Sequence, residues 1–368
     1  MISSEILLSS VQINDGFTDT SADGANMAFD KKYGIMFCVY MPGRQGCYGE
    51  SRGRIALAYF PAAQPTNRRS VIISEGADEY LPNILGLGDG RVRVFYEKDS
   101  HKDGDHLSCY RDFDFLSGTL GDEKTVMLKR EDGSTAPLCQ SEHFRYLEAR
   151  GYKNHVYNKS EQATLGGTTF FRQGDLVYGA TSAYLAEPIL YRSSDDLATV
   201  EFFAVCPYSA QYEFDYKMLD GKIYALYRTE ADVDSIFFTT SDDGGESWSV
   251  PSLLRDSVAC RPRVILHLGR ALLCYNYYNS DTKHRQKIQQ GRTSVRILRG
   301  VGDDISEYGT VADLYSKYGI VNVCLADILG DVYLAYSTSV LALEYQNGNR
   351  LVRGKDAIRY LNLGDLSI

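Results

Sequence analysis

The residues of this chain best suited to bind an anionic ligand are arginines beside strand-like runs. Arg228 ends the run Tyr224–Arg228, and the segment Arg261-Pro262-Arg263 precedes a further apolar run. A planar guanidinium binds a carboxylate through two parallel hydrogen bonds and stays charged at any working pH. The chain also contains 28 tyrosines, whose rings suit sugar stacking. A cluster of these arginines in an apolar, tyrosine-rich bowl would select acidic sugars.

Glycine-centred turns between apolar, strand-like runs recur along the chain and indicate the fold. The turn glycines are Gly34, Gly90, Gly174, Gly221, Gly269 and Gly330. An Asp-Gly or similar pair between alternating strands is the strongest short signal for a β-hairpin. Most intervals are close to the roughly 40–50 residues of one propeller blade. We therefore predict an all-β fold, a six-bladed β-propeller of four-stranded antiparallel blades.

The interval between Gly90 and Gly174 is longer than the others and leaves room for a seventh blade or a long insertion. Within it, the segment Ala136–Gly151 predicts a short helix or a loop on the active face. No Pro/Gly/Ser-rich linker or low-complexity run divides the chain, so we predict one domain over residues 1–368. A closed ring of blades also leaves only short, protected strand edges in an all-β protein of this length.

The turn Ser241-Asp242-Asp243-Gly244-Gly245-Glu246-Ser247-Trp248 contains the only tryptophan. A short carboxylate such as Asp243 can accept backbone N–H bonds inside its own turn, and glycine permits a positive φ. Trp248 supplies a large ring that anchors the loop between blades. The spacing of Ser241, Asp243, Gly245 and Trp248 resembles the Asp-box, or BNR repeat, of the sialidase-like β-propellers, where the box is structural. A weaker copy is predicted at Ser194-Asp195-Asp196.

A second feature resembles the same family. In sialidases a glutamate precedes a hairpin and a substrate-binding arginine ends the strand after the turn, as Glu213 and Arg228 do around Gly221. The resemblance implies that an arginine cluster holds the carboxylate of the sugar. The candidate substrate-binding residues are Arg44, Arg228, Arg292 and Arg263, with Arg296 near Arg292 as a further candidate.

The resemblance also implies a mechanism. Sialidases use a tyrosine nucleophile activated by the glutamate, with a separate aspartic acid as the acid/base, and are an exception to the two-carboxylate rule of glycosidases. A phenol is neutral at pH 7, so an adjacent carboxylate must accept its proton as it attacks. The catalytic candidates are Glu213 as base, Tyr318 as nucleophile and Asp78 as acid. The family tyrosine falls near Asn322, and the rivals of Asp78 are Asp19 and Asp23.

Two other functions stay open at this stage. A polysaccharide lyase or rhamnosidase acting on uronate-containing glycans would neutralise the carboxylate with arginine and remove a proton with His or Tyr. The residues that would supply this set are His143, Arg145, His155, Tyr157 and Arg228. A non-catalytic glycan-binding propeller would use the tyrosines for sugar stacking alone.

The net charge and the spacing of the cysteines exclude some classes of partner and indicate a cellular location. The formal net charge of −9 argues against nucleic acid as the main partner, and no apolar run is long enough to span a membrane. The eight cysteines form no CxxC pair, so we expect buried reduced thiols and no zinc site. The expected partner is an oligosaccharide or glycan with an acidic sugar. We expect no cofactor and, because no signal peptide is visible, a cytoplasmic location.

Overall fold

The alternating runs of the sequence pair into the blades of a β-propeller in the computed structural model. The described residues are 2–5, 10–13, 22–42, 54–76, 79–100, 105–152, 165, 168–208, 210–211, 213–229, 235–254, 257, 261–277, 293–316, 319–338 and 357–366. Within these residues, six blades are present, each with four antiparallel strands at its centre. The predicted fold class and the count of six blades are therefore confirmed.

The blades follow one another along the chain. Blade 1 comprises Ala22–Asp30, Ile35–Pro42, Ile55–Pro61 and Arg69–Ser74. Blade 2 comprises Glu79–Gly88, Arg91–Ser100, Asp105–Asp114 and Thr119–Leu120, with Lys124–Thr125 paired to its third strand. Blade 3 comprises Phe171–Gln173, Leu176–Thr181, Ile189–Ser193 and Thr199–Val205, extended by Met127–Lys129 and Thr135–Pro137.

The second half of the ring repeats the same order. Blade 4 comprises Phe214–Leu219, Lys222–Thr229, Ser235–Ser241 and Ser252–Leu253. Blade 5 comprises Arg263–His267, Arg270–Asn276, Ser294–Gly300 and Gly309–Tyr315, with Ile2–Glu5 added in parallel. Blade 6 comprises Val321–Ile328, Asp331–Thr338, Ala357–Gly364 and Val11–Gln12. A further pair joins Tyr184–Ala186 to Ala210–Gln211, and a 3₁₀ turn spans Ile305–Glu307.

The six turn glycines mark the same point in every blade. Each lies in the turn between the first and second strands and has a positive φ, from 60° at Gly174 to 91° at Gly330. The long interval between Gly90 and Gly174 holds a helix, Gln140–Ala149, and the two strands that extend blade 3. Within the described part of that interval the structure contains an insertion rather than a seventh blade.

A strand from early in the chain completes blade 6. Val11–Gln12, from the start of the chain, forms the outermost strand and pairs with Ala357–Gly364, with Val11 opposite Tyr360. The N–H of Ile13 donates to the carbonyl oxygen of Ile358 at 2.9 Å. Blade 6 is therefore built from segments near the two ends of the described residues.

The hydrophobic core lies between neighbouring blades. In the strand Ile35–Pro42, Met36, Cys38 and Tyr40 pack in one cluster with residues of blade 6. The alternate residues Phe37, Val39 and Met41 pack in another cluster with residues of blade 2. Successive side chains of a strand point to opposite faces, so an all-apolar strand buries both faces between two blades.

The Ser241–Trp248 turn is held by its own side chains. Asp243 Oδ1 accepts hydrogen bonds from the hydroxyl of Ser241 at 2.8 Å and from the N–H of Ser247 at 2.9 Å. The N–H of Gly245 donates to Ser241 Oγ at 2.8 Å. The indole N–H of Trp248 donates to the carbonyl of Val205, at the end of blade 3, and to that of Gly245. The turn thus anchors blade 4 on blade 3.

Blade 3 contains the same turn, shifted by one residue from the predicted copy. The hydroxyl of Ser193, not Ser194, donates to Asp195 Oδ1 at 2.8 Å and accepts from the N–H of Leu197. The N–H of Thr199 donates to Asp195 Oδ1 at 2.8 Å. Leu197 takes the place of the glycine with a φ of 65°. The shift arises because the strand ends at Ser193, which sets the first position of the turn.

The cysteines of the described residues are free thiols. Five of them are buried, namely Cys38, Cys109, Cys206, Cys274 and Cys324, and Cys139 is half-buried. Cys47 and Cys260 lie outside the described residues. In the described part of the chain, no helix has the length and apolar character needed to cross a membrane.

Candidate functional site

Buried polar side chains link neighbouring blades close to their first strands. The first strands of blades 1 and 2, 4 and 5, 5 and 6, and 6 and 1 contact one another. Asn26 of blade 1 donates to the carbonyl of Pro82 in blade 2 at 2.8 Å. Asn83 of blade 2 donates to the carbonyl of Thr168 beside blade 3 at 2.6 Å. Both asparagine side chains are almost fully buried. Side chain to backbone bonds therefore fix the relative position of the first three blades.

Asp215 continues this network through blade 4. Its carboxylate accepts the N–H of Thr169 at 2.8 Å from the blade 3 side and the N–H of Val264 at 2.9 Å from blade 5. Lys217 Nζ lies 3.4 Å from the same carboxylate and donates to the hydroxyl of Thr169 at 2.6 Å. Burial lowers the pKa of Lys217, while the nearby charge of Asp215 opposes that effect. This ion pair is buried, and its carboxylate links blade 4 to blades 3 and 5.

Arg263, a predicted substrate-binding residue, also belongs to the network. It is fully buried, and its Nε donates to the carbonyl of Val323 in blade 6 at 2.9 Å. Its Nη2 lies 3.4 Å from Asn26 Oδ1 in blade 1. These contacts tie blade 5 to blades 6 and 1, so the structure places Arg263 inside the protein with partners of its own.

The ends of the second strands define the face opposite the turn glycines, which we call the open end. Antiparallel pairing puts the first turn of every blade at one end and the end of the second strand at the other. At equal distance from each turn glycine, the second strands carry Met41, Glu97, Thr181, Arg228, Asn276 and Ser337. The polar members of this set are the candidates for ligand chemistry at the open end.

Glu213 and Arg228 lie together at the open end of blade 4. The first strand starts just after Glu213, and Phe214 pairs with Tyr227, so Glu213 faces Arg228 across the hairpin. The Arg228 N–H donates to the Glu213 carbonyl at 2.9 Å, and Arg228 Nη1 lies 3.2 Å from Glu213 Oε2. Their side chains are 12% and 14% exposed. A ligand at this face can therefore reach both charges.

Blade 5 differs from blade 4 at the corresponding positions. Arg263 pairs with Cys274, and the same register extended outward places Arg261 opposite Asn276. Arg261 is 5% exposed, and its Nε and Nη1 are buried without a hydrogen-bond partner among the described residues. An unpartnered buried polar group costs about 1–3 kcal/mol, and more when it is charged. Arg261 is therefore an enclosed guanidinium, two of whose nitrogens have no acceptor among the described residues.

Glu97 is the acidic member of the open-end set. It is fully buried in blade 2 and accepts hydrogen bonds from the N–H of Leu165 at 2.7 Å and from the hydroxyl of Ser108 at 3.0 Å. Burial raises the pKa of Glu97 to about 7, and the two hydrogen bonds oppose that rise. Because its side chain is enclosed, Glu97 positions the segment at Leu165 rather than contacting a ligand.

Two residues of the alternative catalytic set lie on the inserted helix. His143 is fully buried, and its Nδ1 lies 2.7 Å from the hydroxyl of Thr181. Arg145 is half-exposed and pairs with Glu142, which also binds Arg130. The structure places one of these residues in the packing of helix against blade 3 and the other in a surface ion-pair network.

Two further candidates lie within the described residues: Arg296 Nε lies 2.8 Å from Asp313 Oδ1, and Asp23 lies in the first strand of blade 1. The other predicted site residues lie outside the described residues. They are Asp78, Tyr318, Arg44, Arg292 and His155, together with Tyr157 of the alternative set and Asp19. Of the rival positions, Asn322 lies in the first strand of blade 6 and has a φ of 50°. The predicted roles of all these residues stay predictions.

Sequence reasoning did not single out Asn276, Glu97 or Asp215, and it treated Arg261 only as the neighbour of Arg263. A signal for two of them was present. Counting the same distance from each turn glycine into the second strand leads from Arg228 to Glu97 and Asn276. For Asp215 no such signal exists, because its partners Thr169 and Val264 come from two other blades.

Solved structures of other proteins match the propeller fold of this chain. No model of a protein family and no curated protein matches the chain. Trypanosoma rangeli sialidase in complex with sialic acid matches with a TM-score of 0.56 and 10% identity, over 99% of this chain and 60% of that one. The K499G mutant of NanB sialidase from Streptococcus pneumoniae matches with a TM-score of 0.54 and 12% identity, over 96% and 70%.

A protein of unknown function from Dyadobacter fermentans matches with a TM-score of 0.61 and 12% identity, over 96% of this chain and 97% of that one. By contrast, the chain spans 60% of the length of the Trypanosoma rangeli sialidase. At these identities the likeness establishes a shared architecture. The chain is therefore a six-bladed β-propeller of sialidase-like fold.

Proposed function

We propose that this protein is a carbohydrate-active enzyme, a glycoside hydrolase of sialidase-like type, that removes a terminal acidic sugar from a glycan. The observation that carries the proposal is the Glu213–Arg228 pair at the open end of blade 4. It lies in a fold shared with sialidases, one of which was solved with sialic acid bound. On the same grounds we infer that the Ser241–Trp248 turn is an Asp-box.

The pair supplies two of the groups that such a reaction needs. Arg228 would bind the sugar carboxylate, since a guanidinium offers parallel donors to two oxygens. Glu213 would accept the proton of an attacking phenol, which needs an adjacent base at neutral pH. The ion pair orients both side chains before the substrate arrives. Preorganised charges of this kind stabilise a transition state without further rearrangement.

The other roles in this proposal fall outside the described residues. Tyr318 is the proposed nucleophile and Asp78 the proposed acid, while Arg44 and Arg292 would join Arg228 at the carboxylate. Arg263 is left out of the binding set because its guanidinium contacts Val323 and Asn26.

A turnover screen tests the proposal. The wild-type protein is assayed with a fluorogenic sialoside, with a neutral fluorogenic galactoside, and with a uronate oligosaccharide followed by the absorbance of a new C=C bond. We expect release from the sialoside alone. Arg228→Lys should lower kcat/KM roughly 10–100-fold, because a charge-assisted hydrogen bond contributes about 1.5–3 kcal/mol and lysine cannot bind a carboxylate through two parallel bonds.

Arg192→Lys is the matched control, since Arg192 lies half-exposed in the third strand of blade 3. It should leave kcat/KM unchanged. An unsaturated product from the uronate would replace the hydrolase proposal with the lyase. Binding of both acidic ligands without turnover would replace it with a glycan-binding propeller.

A further inference from the structure

Exposed apolar side chains collect on the face that carries the turn glycines, which we call the turn face. Among the described residues, seven large apolar side chains are exposed. Five of them lie in the turns and loops of this face, namely Tyr33, Leu116, Leu268, Val301 and Leu329. Exposed apolar side chains gathered on one face are typical of an interaction surface.

Leu268 and Leu329 break two local rules at the same position of adjacent blades. Each is the first residue of the two-residue turn between the first and second strands, with a φ of 46° at Leu268 and 56° at Leu329. A positive φ there favours Asn, Asp or Gly, and blades 2 and 4 have Asp89 and Asp220 at this position. The leucines are also 55% and 70% exposed. Residues that break local rules in this way are expected at functional sites.

The two turns that carry these leucines are held side by side. His267 directly precedes Leu268 and is fully buried. Its Nδ1 lies 2.8 Å from Asp327 Oδ2, two residues before Leu329, and its Nε2 lies 3.4 Å from Asp365 Oδ1. Blade 5 is therefore tied to blade 6 directly behind the leucines. A surface with such fixed geometry loses little conformational freedom when it binds.

The charges beside the two leucines are opposite. Arg270 follows Gly269 in blade 5 and is exposed. Asp331 follows Gly330 at the equivalent position of blade 6 and accepts a hydrogen bond from Asn362 Nδ2 at 3.0 Å. Each turn therefore presents a leucine, a glycine and then a charge, positive in one blade and negative in the other. A half-turn that exchanges the two turns brings opposite charges together.

We propose that the turn face of blades 5 and 6 binds a second copy of this chain. The two-fold axis lies in the plane of the face and passes between the two blades. In such a symmetric interface, residue i contacts residue j of the other copy and j contacts i. Leu268 packs on the partner's Leu329, and Arg270 faces the partner's Asp331, so that each contact occurs twice. The leucines bury apolar surface, and the charges fix the relative position of the two copies.

This interface is independent of the proposed function. The turn face lies opposite the open end, where Glu213 and Arg228 are placed. Two copies joined by their turn faces therefore keep both open ends accessible to a ligand.

A charge exchange tests the interface. Sedimentation equilibrium is measured for the wild type, Arg270→Asp, Asp331→Arg, the double variant, and an equal mixture of the two single variants. We expect a wild-type dimer. Each single variant alone should dimerise at least about 10-fold more weakly, because like charges then face each other twice. The double variant and the mixture should both recover the dimer, because opposite charges meet again.

The leucines are tested by the variant Leu268→Asn/Leu329→Asn. Asparagine suits a positive φ better than leucine, so we expect a monomer that still unfolds cooperatively. At a protein concentration where the wild type is also monomeric, the unfolding midpoint of this variant should not be lower. Leu116→Asn, in blade 2 across the ring, is the matched control and should stay dimeric.

A wild type that is monomeric at every concentration would overturn the interface. A mixture of Arg270→Asp and Asp331→Arg that stays monomeric would also overturn it, as would a dimer that persists in Leu268→Asn/Leu329→Asn. None of these results depends on the release of sugar from the fluorogenic sialoside, so the interface and the proposed function can fail separately.

Discussion

Glu213 and Arg228 face each other at the open end of blade 4, with a guanidinium nitrogen 3.2 Å from a carboxylate oxygen. Each side chain is mostly buried, but both keep some solvent exposure, 12% for Arg228 and 14% for Glu213. The pair therefore has two consequences. It couples the stability of the hairpin to its charges, and it presents those charges to a ligand.

The first consequence gives a stability prediction. Arg228→Ala leaves the Glu213 carboxylate without its guanidinium partner, and Glu213→Ala does the reverse. We expect the double variant to lose less stability than the sum of the two single variants, with a coupling of about 0.5–3 kcal/mol. Urea unfolding of the four proteins measures this coupling. Additive losses would show that the two side chains do not interact in solution.

The Asp215–Lys217 pair should be more sensitive. Asp215→Ala leaves a buried ammonium without its carboxylate and the N–H of Val264 without an acceptor. Breaking a buried pair in this way costs about 3–5 kcal/mol. The double variant Asp215→Asn/Lys217→Met removes both charges and should be distinctly more stable than Asp215→Ala in urea unfolding. Equal instability of the two variants would contradict the importance of the stranded charge.

Glu97 predicts how stability depends on pH. Burial raises the pKa of Glu97 from 4.5 to about 7. Between these two pH values the folded protein keeps a proton on Glu97 that the unfolded chain has already released. Stability should therefore fall as pH rises from about 4.5 to about 7 and level off above that. The total loss from this group is up to about 3 kcal/mol.

Glu97→Gln, which resembles the protonated acid, should remove that dependence. We expect it to match wild type near pH 4 and to exceed it in stability above pH 7. Denaturant unfolding at several pH values measures both curves. If stability changed with pH in the same way in both proteins, Glu97 would not titrate between about pH 4.5 and 7, and the prediction would be wrong.

The Ser241–Trp248 turn gives a prediction with a control inside the same loop. At Gly245 the φ is 99°, and an added Cβ would lie 2.6 Å from Ala204 Cβ. Gly244 also has a positive φ, of 75°, but a Cβ there would meet nothing within 4 Å. We expect Gly244→Ala to cost roughly 1 kcal/mol from the backbone alone and Gly245→Ala about 1–3 kcal/mol more from overpacking.

Thermal unfolding compares the two variants, and the fluorescence of Trp248, the only tryptophan, reports on the turn. Gly245→Ala should shift the emission, because Trp248 lies against Gly245 and blade 3. Equal melting temperatures for the two alanine variants would mean that the turn does not pack against Ala204 as described.

The fold could be predicted from the sequence because its signals are local. Each blade begins with a hairpin whose turn requires a positive φ at glycine, so Gly34 and its five counterparts mark the repeat directly. The residue at which a turn begins could not be predicted as directly. Ser193 rather than Ser194 starts the blade 3 turn, because the end of the strand decides which hydroxyl faces the loop.

The candidate site could be predicted only where both partners belong to one hairpin. Glu213 and Arg228 satisfy that condition, and their spacing around Gly221 was enough to place them together. Arg263, a predicted substrate-binding residue, is instead buried between blades. The hydrogen-bond acceptors of Arg263 are Val323 and Asn26 in other blades, so the local sequence could not predict that Arg263 is a structural residue.

A crystal structure of the protein soaked with N-acetylneuraminate tests the central claim most directly, namely that the open end of blade 4 binds an acidic sugar. The account predicts density for one sugar with its carboxylate within hydrogen-bond distance of Arg228. Density for the sugar at any other part of the ring, or none at saturating concentration, would contradict it.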